Sequence, residues 1–471
     1  MFQGSNIHYE VDGRNKGIAQ GGIGVLHRLA KRIGLTKAID QHLHLLKRHL
    51  PYHESDHVLN LCYNVLAGGT CLEDIELRRQ DEAWMDALGA KIIPDPTTAG
   101  DFLRRFSEED IVTLMDLIND CREKVWEQQP KSFFREAILN VDGTIAPTEG
   151  ECKQGMDISY KGDWGYHPLV ISLAQTREAL YLINRSGNAP SHKDAAGWLD
   201  RSLDLVCDRF KTVWLRGDTD FSLTEHLDRW AKRCHFAFGV NAHPNLVAMA
   251  ASLPEAQWND LPPQSAFEEP REPRQRPENV KERIVKERGY KNIRTVSEQV
   301  AQFTYRPGKC KNTYRVVVVR KNLSVEKGDQ VLFDDIRYFF YITNDWNLSA
   351  HEIVYFIRER CDHENDIDQL KNGVKAMTWP VHDLVSNWAY MVIAALAWNL
   401  KAWLGLLTPN TTLRYQILRM EFKRFIHTFI LIPCLIVKTG RQIVYRLSGY
   451  NAQLNDFLKT FEHLRVLRLT G

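Results

Sequence analysis

The middle of the chain alternates short apolar runs with segments of helical periodicity. The runs EAILNVDGT, YHPLVISLA, ALYLINRSG and KTVWLRGD are bounded by glycine, proline and polar residues, as buried strands are. The segment HKDAAGWLDRSLDLVCDRF lies between the last two runs, and SLTEHLDRWAKRC follows the last one. In both segments, apolar residues recur at helical spacing. Strands that alternate with helices predict an α/β sheet.

The region before this sheet predicts helices. Within residues 20–130, Leu26, Leu29 and Ile33 form an apolar stripe, and basic residues lie on the opposite side of the same helix. Such a basic face either contacts nucleic acid or is a solvated surface, and the pattern alone does not distinguish the two.

The second half of the chain predicts a different architecture. Residues 254–288 combine many charges with prolines, which predicts a loop or linker. The runs YRVVVVRK and YFFYIT then predict strands, and from residue 349 to the end the pattern is helical. Residues 388–407 are strongly apolar, but Asn399 and Lys401 interrupt them, which favours a buried helix over a membrane span.

Composition narrows the class of protein. The 471 residues suffice for two or three domains, and 44% hydrophobic with 25% charged residues is ordinary for a globular protein. The net charge of +2 means that any nucleic-acid surface must come from local clusters of Lys and Arg. Nine cysteines without a Cys-x-x-Cys pair argue against a disulfide scaffold and a zinc knuckle, and His167 and His192 lack partners at metal-ligand spacing. The N-terminus shows no apolar signal core, so we expect a reducing cytoplasm.

Two acids follow predicted strands directly. Asp142 ends one apolar run, and Asp218 follows another as the first acid of GDTDF. These two acids either lie in surface turns or face the edge of the sheet, where ligands bind. Phosphodiester chemistry needs carboxylates at such a place, since divalent cations must be clamped around the scissile phosphate.

Residues 349–373 predict a helix on which a third acid could lie. It opens with the capping-box sequence SAHE. Ile357, Arg360, Glu364, Ile367 and Lys371 follow at spacings of three and four, and therefore share one face. The simpler interpretation is a stripe of ion pairs, worth a few tenths of a kcal/mol.

Arg360, Glu364 and Lys371 form Arg-x3-Glu-x6-Lys, which resembles the third-acid signature of DDE transposases of bacterial insertion sequences, in the subclass named for Tyr-x2-Arg-x3-Glu-x6-Lys. The family tyrosine falls at Ile357, and Tyr355 lies two residues earlier. NVDGT, KGDWGYHPLV, RSGNAPSHKDAAGWL and LRGDTDF are similar to family segments in the same order, as are GGTCLEDIELRR and AALAWNLKAWL. The resemblance covers roughly residues 20–450.

The resemblance implies a ribonuclease-H-like core, a mixed sheet with flanking helices, that a β-rich insertion interrupts. The implied domains begin with a helical N-terminal DNA-binding region (1–130) and the first part of the core (131–240). They continue with the β-rich insertion and its charged Pro-rich loop (241–347), the rest of the core (348–400), and a helical C-terminal region for dimerisation (401–471).

The activity that the resemblance implies is cut-and-paste DNA transposition. Asp142, Asp218 and Glu364 would hold two Mg²⁺ ions, with Mn²⁺ as a substitute, and Arg360 and Lys371 would contact the DNA end. The implied partners are double-stranded DNA, as terminal inverted repeats and target, and a second copy in a synaptic dimer. The implied location is the bacterial cytoplasm, at the nucleoid, and no membrane is expected.

Other residues have competing interpretations. Asp220 and Asp163 are interpreted as turn residues rather than ligands. Tyr338, Phe339 and Trp346 either stack on a flipped base or pack in a core. The C-terminal stretch LRYQILRMEFKRFIHTF either binds DNA, forms a dimer contact or is a solvated basic face.

Two rival functions remain open on the sequence. One is a transposase remnant that binds DNA without cleaving it and acts as a repressor. The other is a general metal-dependent nuclease with the same core, which would cleave DNA of any sequence without joining strands.

Overall fold

The computed structural model describes residue 9 and residues 15–49, 51–264, 279–328, 330–440, 442–448 and 452–467. Its strands are β1 Lys16–Ile18, β2 Glu136–Gly143, β3 Ala146–Pro147, β4 Asp157–Ile158, β5 Trp164–Tyr166, β6 Leu169–Leu173, β7 Glu178–Ile183, β8 Thr212–Gly217, β9 His235–Val240, β10 Asn259–Asp260, β11 Lys291–Tyr305, β12 Tyr314–Lys327, β13 Gln330–Thr343, β14 Cys434–Thr439 and β15 Gln442–Leu447. Its α-helices are α1 Ile23–Arg32, α2 Leu35–His42, α3 Glu54–Leu66, α4 Ile75–Arg79, α5 Glu82–Leu88, α6 Pro96–Leu103, α7 Glu108–Trp126, α8 Ala195–Val206, α9 Thr224–Trp230, α10 Pro244–Ala251, α11 Val280–Glu287, α12 Ala350–Arg358, α13 Cys361–Asp368, α14 Leu384–Leu406, α15 Thr411–Arg419, α16 Phe422–Phe425 and α17 Leu454–Val466.

A mixed sheet of nine strands organises the described part of the chain. Its order is β10-β11-β12-β13-β9-β8-β2-β6-β7. The three strands β2, β8 and β9 are parallel, and their outer neighbours β6 and β13 pair with them antiparallel. The prediction of an α/β protein with a mixed sheet and flanking helices is therefore confirmed.

Helices cover both faces of the parallel strands. Helix α8 packs against β2, β6 and β7, whereas α12 packs against β9, β11 and β12. Residues 137–141 of β2 are consequently buried without alternation. This is why the sequence shows an apolar run there, broken by Asn140, instead of a period of two.

The strands expected in a β-rich insertion join the central sheet. β11, β12 and β13 form a long antiparallel arm, and residues 340–343 of β13 pair with β9. The predicted loop over 254–288 is wrong at Val280–Glu287, which is helix α11: VKERIVKE contains no Gly or Pro, and the Asn279 side chain caps its first turn. Residues 265–278 lie outside the described part.

The sequence pattern predicted helices up to the end of the chain, but the C-terminal region also contains strands. β14 and β15 pair with each other, and β1, from the start of the chain, adds to β14. CLIVKT and QIVYRL are rich in β-branched residues, and Gly440 between them has a φ of 56°. The predicted boundary between residues 400 and 401 also falls inside α14, which continues to Leu406.

Helix α14 is the central core helix, as its composition predicted. By length and hydropathy it could span a membrane, but its most apolar window is entirely buried within the fold. Asn399 bonds the backbone of Ala179 on β7, and its side-chain oxygen and nitrogen each lie 3.0 Å from their partner. Asn399, the first of the two polar residues that interrupt the apolar run, therefore has its hydrogen-bond partners inside the protein.

The second of these residues, Lys401, is a buried cation. Its Nζ donates to the Leu418 carbonyl at 3.1 Å and lies 3.7 Å from the centroid of a Trp398 ring. Burial lowers the pKa of Lys401 to about 7, although the nearby Asp366 carboxylate opposes that shift. The Lys401 amine therefore loses its proton more easily in the folded protein than a lysine amine does in water.

We expect Lys401→Met to flatten the pH dependence of stability between pH 10.5 and 8. Because the folded-state pKa lies below the unfolded one, the unfolded wild type takes up the proton first. Its free energy of unfolding must therefore fall as the pH falls from 10.5 toward 7. Urea unfolding at pH 10, 9 and 8 measures this slope. The exposed Lys423→Met is the control, and an equal slope in wild type and Lys401→Met would refute the assignment.

Candidate active site

The first two predicted acids lie side by side at one edge of the sheet. In the parallel pair of β2 and β8, Val141 is opposite Gly217, so Asp142 and Asp218 are the next residues of adjacent strands. Asp218 accepts a hydrogen bond from the Asp220 backbone N–H at 2.9 Å, which fixes the turn after β8. Asp220 itself is exposed in that turn. The carboxyl edge of the parallel strands therefore carries two neighbouring carboxylates.

The third acid comes from a helix that is interrupted. The capping box is confirmed, since Ser349 and Glu352 exchange side-chain to backbone hydrogen bonds at 3.2 and 2.7 Å. The predicted single helix over 349–373 is wrong, however. α12 ends at Arg358, α13 begins at Cys361, and residues 369–373 form a π-helical turn.

Arg360 stands at the interruption and links the acids. Its Nη1 donates to Asp142 Oδ2 at 2.6 Å, and its Nη2 lies 3.1 Å from Glu364 Oε1. Ile357 and Ile367, the predicted anchors of this face, are both buried. The structure therefore brings Asp142, Asp218 and Glu364 to one edge, with a guanidinium between two of them.

The site concentrates negative charge in a poorly solvated place. Burial raises the pKa of the Asp142 carboxyl to about 7; Arg360 lowers that pKa, whereas Asp218 and Glu364 raise it. Burial also raises the pKa of Asp218, and the Asp220 charge adds to this rise. An added cation at this edge would favour the charged form of both carboxyls.

The three acids offer a divalent cation carboxylate ligands, which would have to turn toward one another to hold it. Within the described ranges, no three His, Cys, Asp or Glu side chains stand ready in metal-binding geometry. The reason is local, since the Arg360 guanidinium occupies the charge-balancing position between Asp142 and Glu364. The Glu364 side chain is 55% exposed and held by its ion pair with Arg360, and carboxylate oxygens are the ligands that hard cations take.

Sequence comparison places this geometry in a family. The family described as Transposase DDE domain group 1 matches residues 1–469, almost the whole chain. The chain belongs to the DDE transposases. It is therefore a DNA transposase, an enzyme that cleaves DNA and transfers strands, and its family uses divalent metal ions.

Other comparisons are more distant. No curated protein matches the transposase. Among solved structures, it is similar to the piggyBac transposase in a synaptic complex with hairpin DNA, at 11% sequence identity and a TM-score of 0.35. That match covers 88% of this chain and 83% of the other.

Arg216 is a site residue that sequence reasoning missed. It is buried on β8, two residues before Asp218, and its Nε donates to Asn140 Oδ1 at 2.8 Å. Its Nη1 donates to the Phe356 carbonyl at 2.6 Å. In an unbroken α-helix that carbonyl would accept from the Arg360 N–H, which here bonds Ile357 instead. Arg216 thus accounts for the interruption of the helix.

A signal for this residue existed in the sequence. Asn140 and Arg216 each interrupt an apolar run two residues before an acid, so they share a strand face with Asp142 and Asp218. Buried polar side chains need partners, and two on adjacent strands predict that they bond each other. The contact of Arg216 with α12 depends on tertiary packing and has no local signal.

We expect Arg216→Lys in the transposase to slow DNA cleavage by about a hundredfold while DNA affinity changes by less than about twofold. Lysine keeps the charge but has one nitrogen in place of the fixed fork whose Nε and Nη1 bond Asn140 and Phe356. The link between β8 and α12 therefore loosens, and a displacement of about 1 Å costs this much. Single-turnover cleavage and equilibrium binding measure the two quantities separately. A loss of cleavage that merely matches a loss of folded protein would contradict this role.

His363 also holds the third-acid helix in place. It is fully buried, and its Nδ1 lies 2.9 Å from Ser172 Oγ on β6. Burial lowers the pKa of His363 to about 3, so the ring is neutral. The contact attaches α13 to the sheet one residue before Glu364.

The strand register separates Phe339 from Trp346, two of the three aromatic residues that either stack on a flipped base or pack in a core. β13 runs antiparallel to β9, and its last residue, Thr343, pairs with Ala237 near the start of β9. Trp346 follows Thr343 and lies toward the edge opposite the acids. Phe339 precedes the residue that pairs with the end of β9, so it lies on the side of the acids. Both side chains are exposed, and their roles stay predictions.

The remaining candidates have defined positions. The Lys371 ammonium donates to the Ile145 carbonyl, in the segment that follows Asp142. Asp163 lies in a hairpin turn, as predicted, where its carbonyl accepts from the Ser159 N–H at 2.8 Å. The His167 ring bonds the Ala189 carbonyl, which is a packing role.

Proposed function

We propose that the transposase moves a bacterial insertion sequence by cut-and-paste transposition. It would bind the terminal inverted repeats of its own element, cleave them with Mg²⁺ and join the freed 3′ ends to target DNA. The observation that carries this proposal is the meeting of Asp142, Asp218 and Glu364 at one edge of the sheet. Membership of the DDE family supports it.

The three acids would hold two Mg²⁺ ions, with Mn²⁺ as a substitute. Bound there, the ions would activate the attacking oxygen and stabilise the leaving oxygen. Asp142 would contribute from the end of β2 and Asp218 from the turn after β8, and Glu364 would join them if its ion pair with Arg360 opened. Arg360, Glu364 and Lys371 support assignment to the Tyr-Arg-Glu-Lys subclass, although Ile357 stands at the tyrosine position.

The two basic residues of this face would contact the DNA end. Arg360 pairs with Asp142 and Glu364, and its guanidinium would become available for a phosphate if those acids bound cations. Lys371 is half-buried beside Ile145, so its ammonium lies close to the strand that carries Asp142. Both would hold the scissile end in place.

The architecture fits a ribonuclease-H-like core with additions. The strands β6, β7, β2, β8 and β9 with α8 and α13 would form the core, and the arm of β11–β13 would be the β-rich insertion. The helical region before residue 131 would bind DNA, and the C-terminal region would support a synaptic homodimer. The enzyme would act at the nucleoid in the bacterial cytoplasm.

A cleavage assay tests this function. A plasmid carrying the DNA that flanks the gene, with its short inverted repeats, is incubated with protein and Mg²⁺, and 3′-OH ends are mapped by primer extension. We expect breaks at the repeat boundaries and joining of those ends to a second DNA.

Each other outcome of that assay favours a rival. Retarded migration of repeat DNA without breaks in Mg²⁺ or Mn²⁺ would indicate a binding protein that represses. Breaks at unrelated sequences without joining would indicate a general nuclease.

A further inference from the structure

The hairpin between β4 and β5 presents an apolar platform to solvent. Ile158 and Trp164 are directly opposite each other in this strand pair, so their side chains share one face. They are 47% and 54% exposed, and Tyr160 at the turn is 80% exposed. An exposed cluster of this kind marks an interaction site more often than an isolated exposed residue does.

The hairpin is built to hold that platform in place. The Ser159 N–H donates to the Asp163 carbonyl at 2.8 Å, and the Gly162 N–H donates to the Ser159 carbonyl at 2.9 Å. Gly162 has a φ of 90°, which favours glycine in this tight turn. The Asn188 side chain donates to the Asp157 carboxylate at 2.6 Å and ties the base of the hairpin to the loop after β7.

Topology places the platform above the acids. β5 continues through two residues into β6, whose first residue, Leu169, pairs with Gly143, the neighbour of Asp142. β5 also pairs with β3, which begins four residues after Asp142. The hairpin therefore projects beyond the carboxyl edge of β2, on the side where Asp142 and Asp218 lie.

Lysine side chains lie near the platform. Lys161 is exposed at the turn, 5.6 Å from the centroid of the Tyr160 ring. It lies close enough to Lys371 for its charge to lower the pKa of that lysine, after the larger effect of burial. One acid, Asp163, is exposed in the same turn, whereas Asp157 is engaged by Asn188. Aromatic faces beside lysines are the elements with which proteins bind unpaired nucleotides.

We propose that the platform of Ile158, Tyr160 and Trp164 stacks on unpaired bases at the DNA end held in the active site. This inference rests on the proposed function, because it requires DNA at the carboxyl edge. Bases in a duplex interior cannot reach a protein ring, whereas bases at an end unpair at low cost. The platform thus favours DNA whose end is open, and places the opened end beside Asp142.

The test compares two forms of the terminal repeat duplex, one blunt and one with an unpaired tail of about four nucleotides. Their affinities are measured by fluorescence anisotropy in Ca²⁺. We expect Trp164→Ala to weaken binding of the tailed duplex about tenfold and of the blunt duplex less than about twofold. Trp164→Phe keeps a stacking ring and should bind the tailed duplex within about threefold of wild type.

The blunt duplex is the internal control, because it carries the same repeat sequence without an unpaired tail. Equal unfolding midpoints for all variants establish that the substitutions leave the fold intact.

Several outcomes would overturn the proposal. Equal weakening of blunt and tailed binding in Trp164→Ala, no weakening at all, or a comparable loss of tailed binding in Trp164→Phe would each do so. A change in the sedimenting mass of Trp164→Ala with unchanged tail binding would show that the platform contacts a second protein copy instead. Wild-type protein that binds neither duplex would contradict the proposed function as well, which separates the two failures.

Discussion

Asp218→Asn and Glu364→Gln should each reduce metal-dependent DNA cleavage by about a thousandfold or more, whereas Asp220→Asn should cleave at nearly the wild-type rate. The amides keep the shape of the side chains but remove the charge that holds cations. Cation stabilisation of the transition state is worth several kcal/mol, and each 1.36 kcal/mol is a factor of ten in rate. Single-turnover cleavage of a repeat-end substrate measures the effect.

Asp220 is a stringent control because it lies two residues from Asp218 in the same turn. Its side chain is exposed, and its structural contribution is the backbone N–H that bonds Asp218, which asparagine retains. Equal losses in the Asp218 and Asp220 variants would mean that the turn matters only as structure. Full activity of Glu364→Gln would remove the third acid from the site.

Glu178→Gln should lower the free energy of unfolding by about 3–5 kcal/mol, the largest stability effect that we expect. Glu178 is fully buried, and its carboxylate accepts from Arg122 at 2.9 Å, Trp126 at 3.0 Å and Trp403 at 2.7 Å. These partners lie on α7 and α14, so one carboxylate joins the N-terminal helices and the core helix to the sheet. Glutamine would leave the buried Arg122 cation uncompensated and turn an amide donor toward other donors.

Urea unfolding measures this change, with Glu123→Gln as the control. Glu123 lies on α7 itself but pairs with Arg209 near the surface, where an ion pair is worth less than about 1 kcal/mol. We expect the Glu123 variant to lose little stability. A loss in Glu178→Gln no larger than in Glu123→Gln would contradict the role of Glu178 as a junction.

Local sequence patterns were sufficient to place the first two acids. The buried runs that became β2 and β8 are short, apolar and ended by Asp-containing turns, and parallel strands bring such ends together. The helical spacing of Arg360 and Glu364 likewise predicted a shared face. These features depend on residues close together in the chain, so a single sequence contains them.

Long-range packing determined what the sequence did not predict. The interruption at Arg360 arises because Arg216, far away in sequence, takes a helix carbonyl. The direction of Trp346 follows from the register of β13 on β9, which local periodicity does not specify. The platform of Ile158 and Trp164 was overlooked because its significance lies in its position beside Asp142.

The central claim is that Asp142, Asp218 and Glu364 together hold the divalent ions. Cleavage of the protein by bound iron tests this claim most directly. Fe²⁺ replaces Mg²⁺ in the presence of ascorbate and peroxide, and the radicals formed cut the polypeptide near the bound ion. We expect cuts close to residues 142, 218 and 364 that excess Mg²⁺ suppresses and that Asp218→Asn abolishes. Cuts confined to other segments, or cuts that persist unchanged in Asp218→Asn, would contradict the assignment of the site.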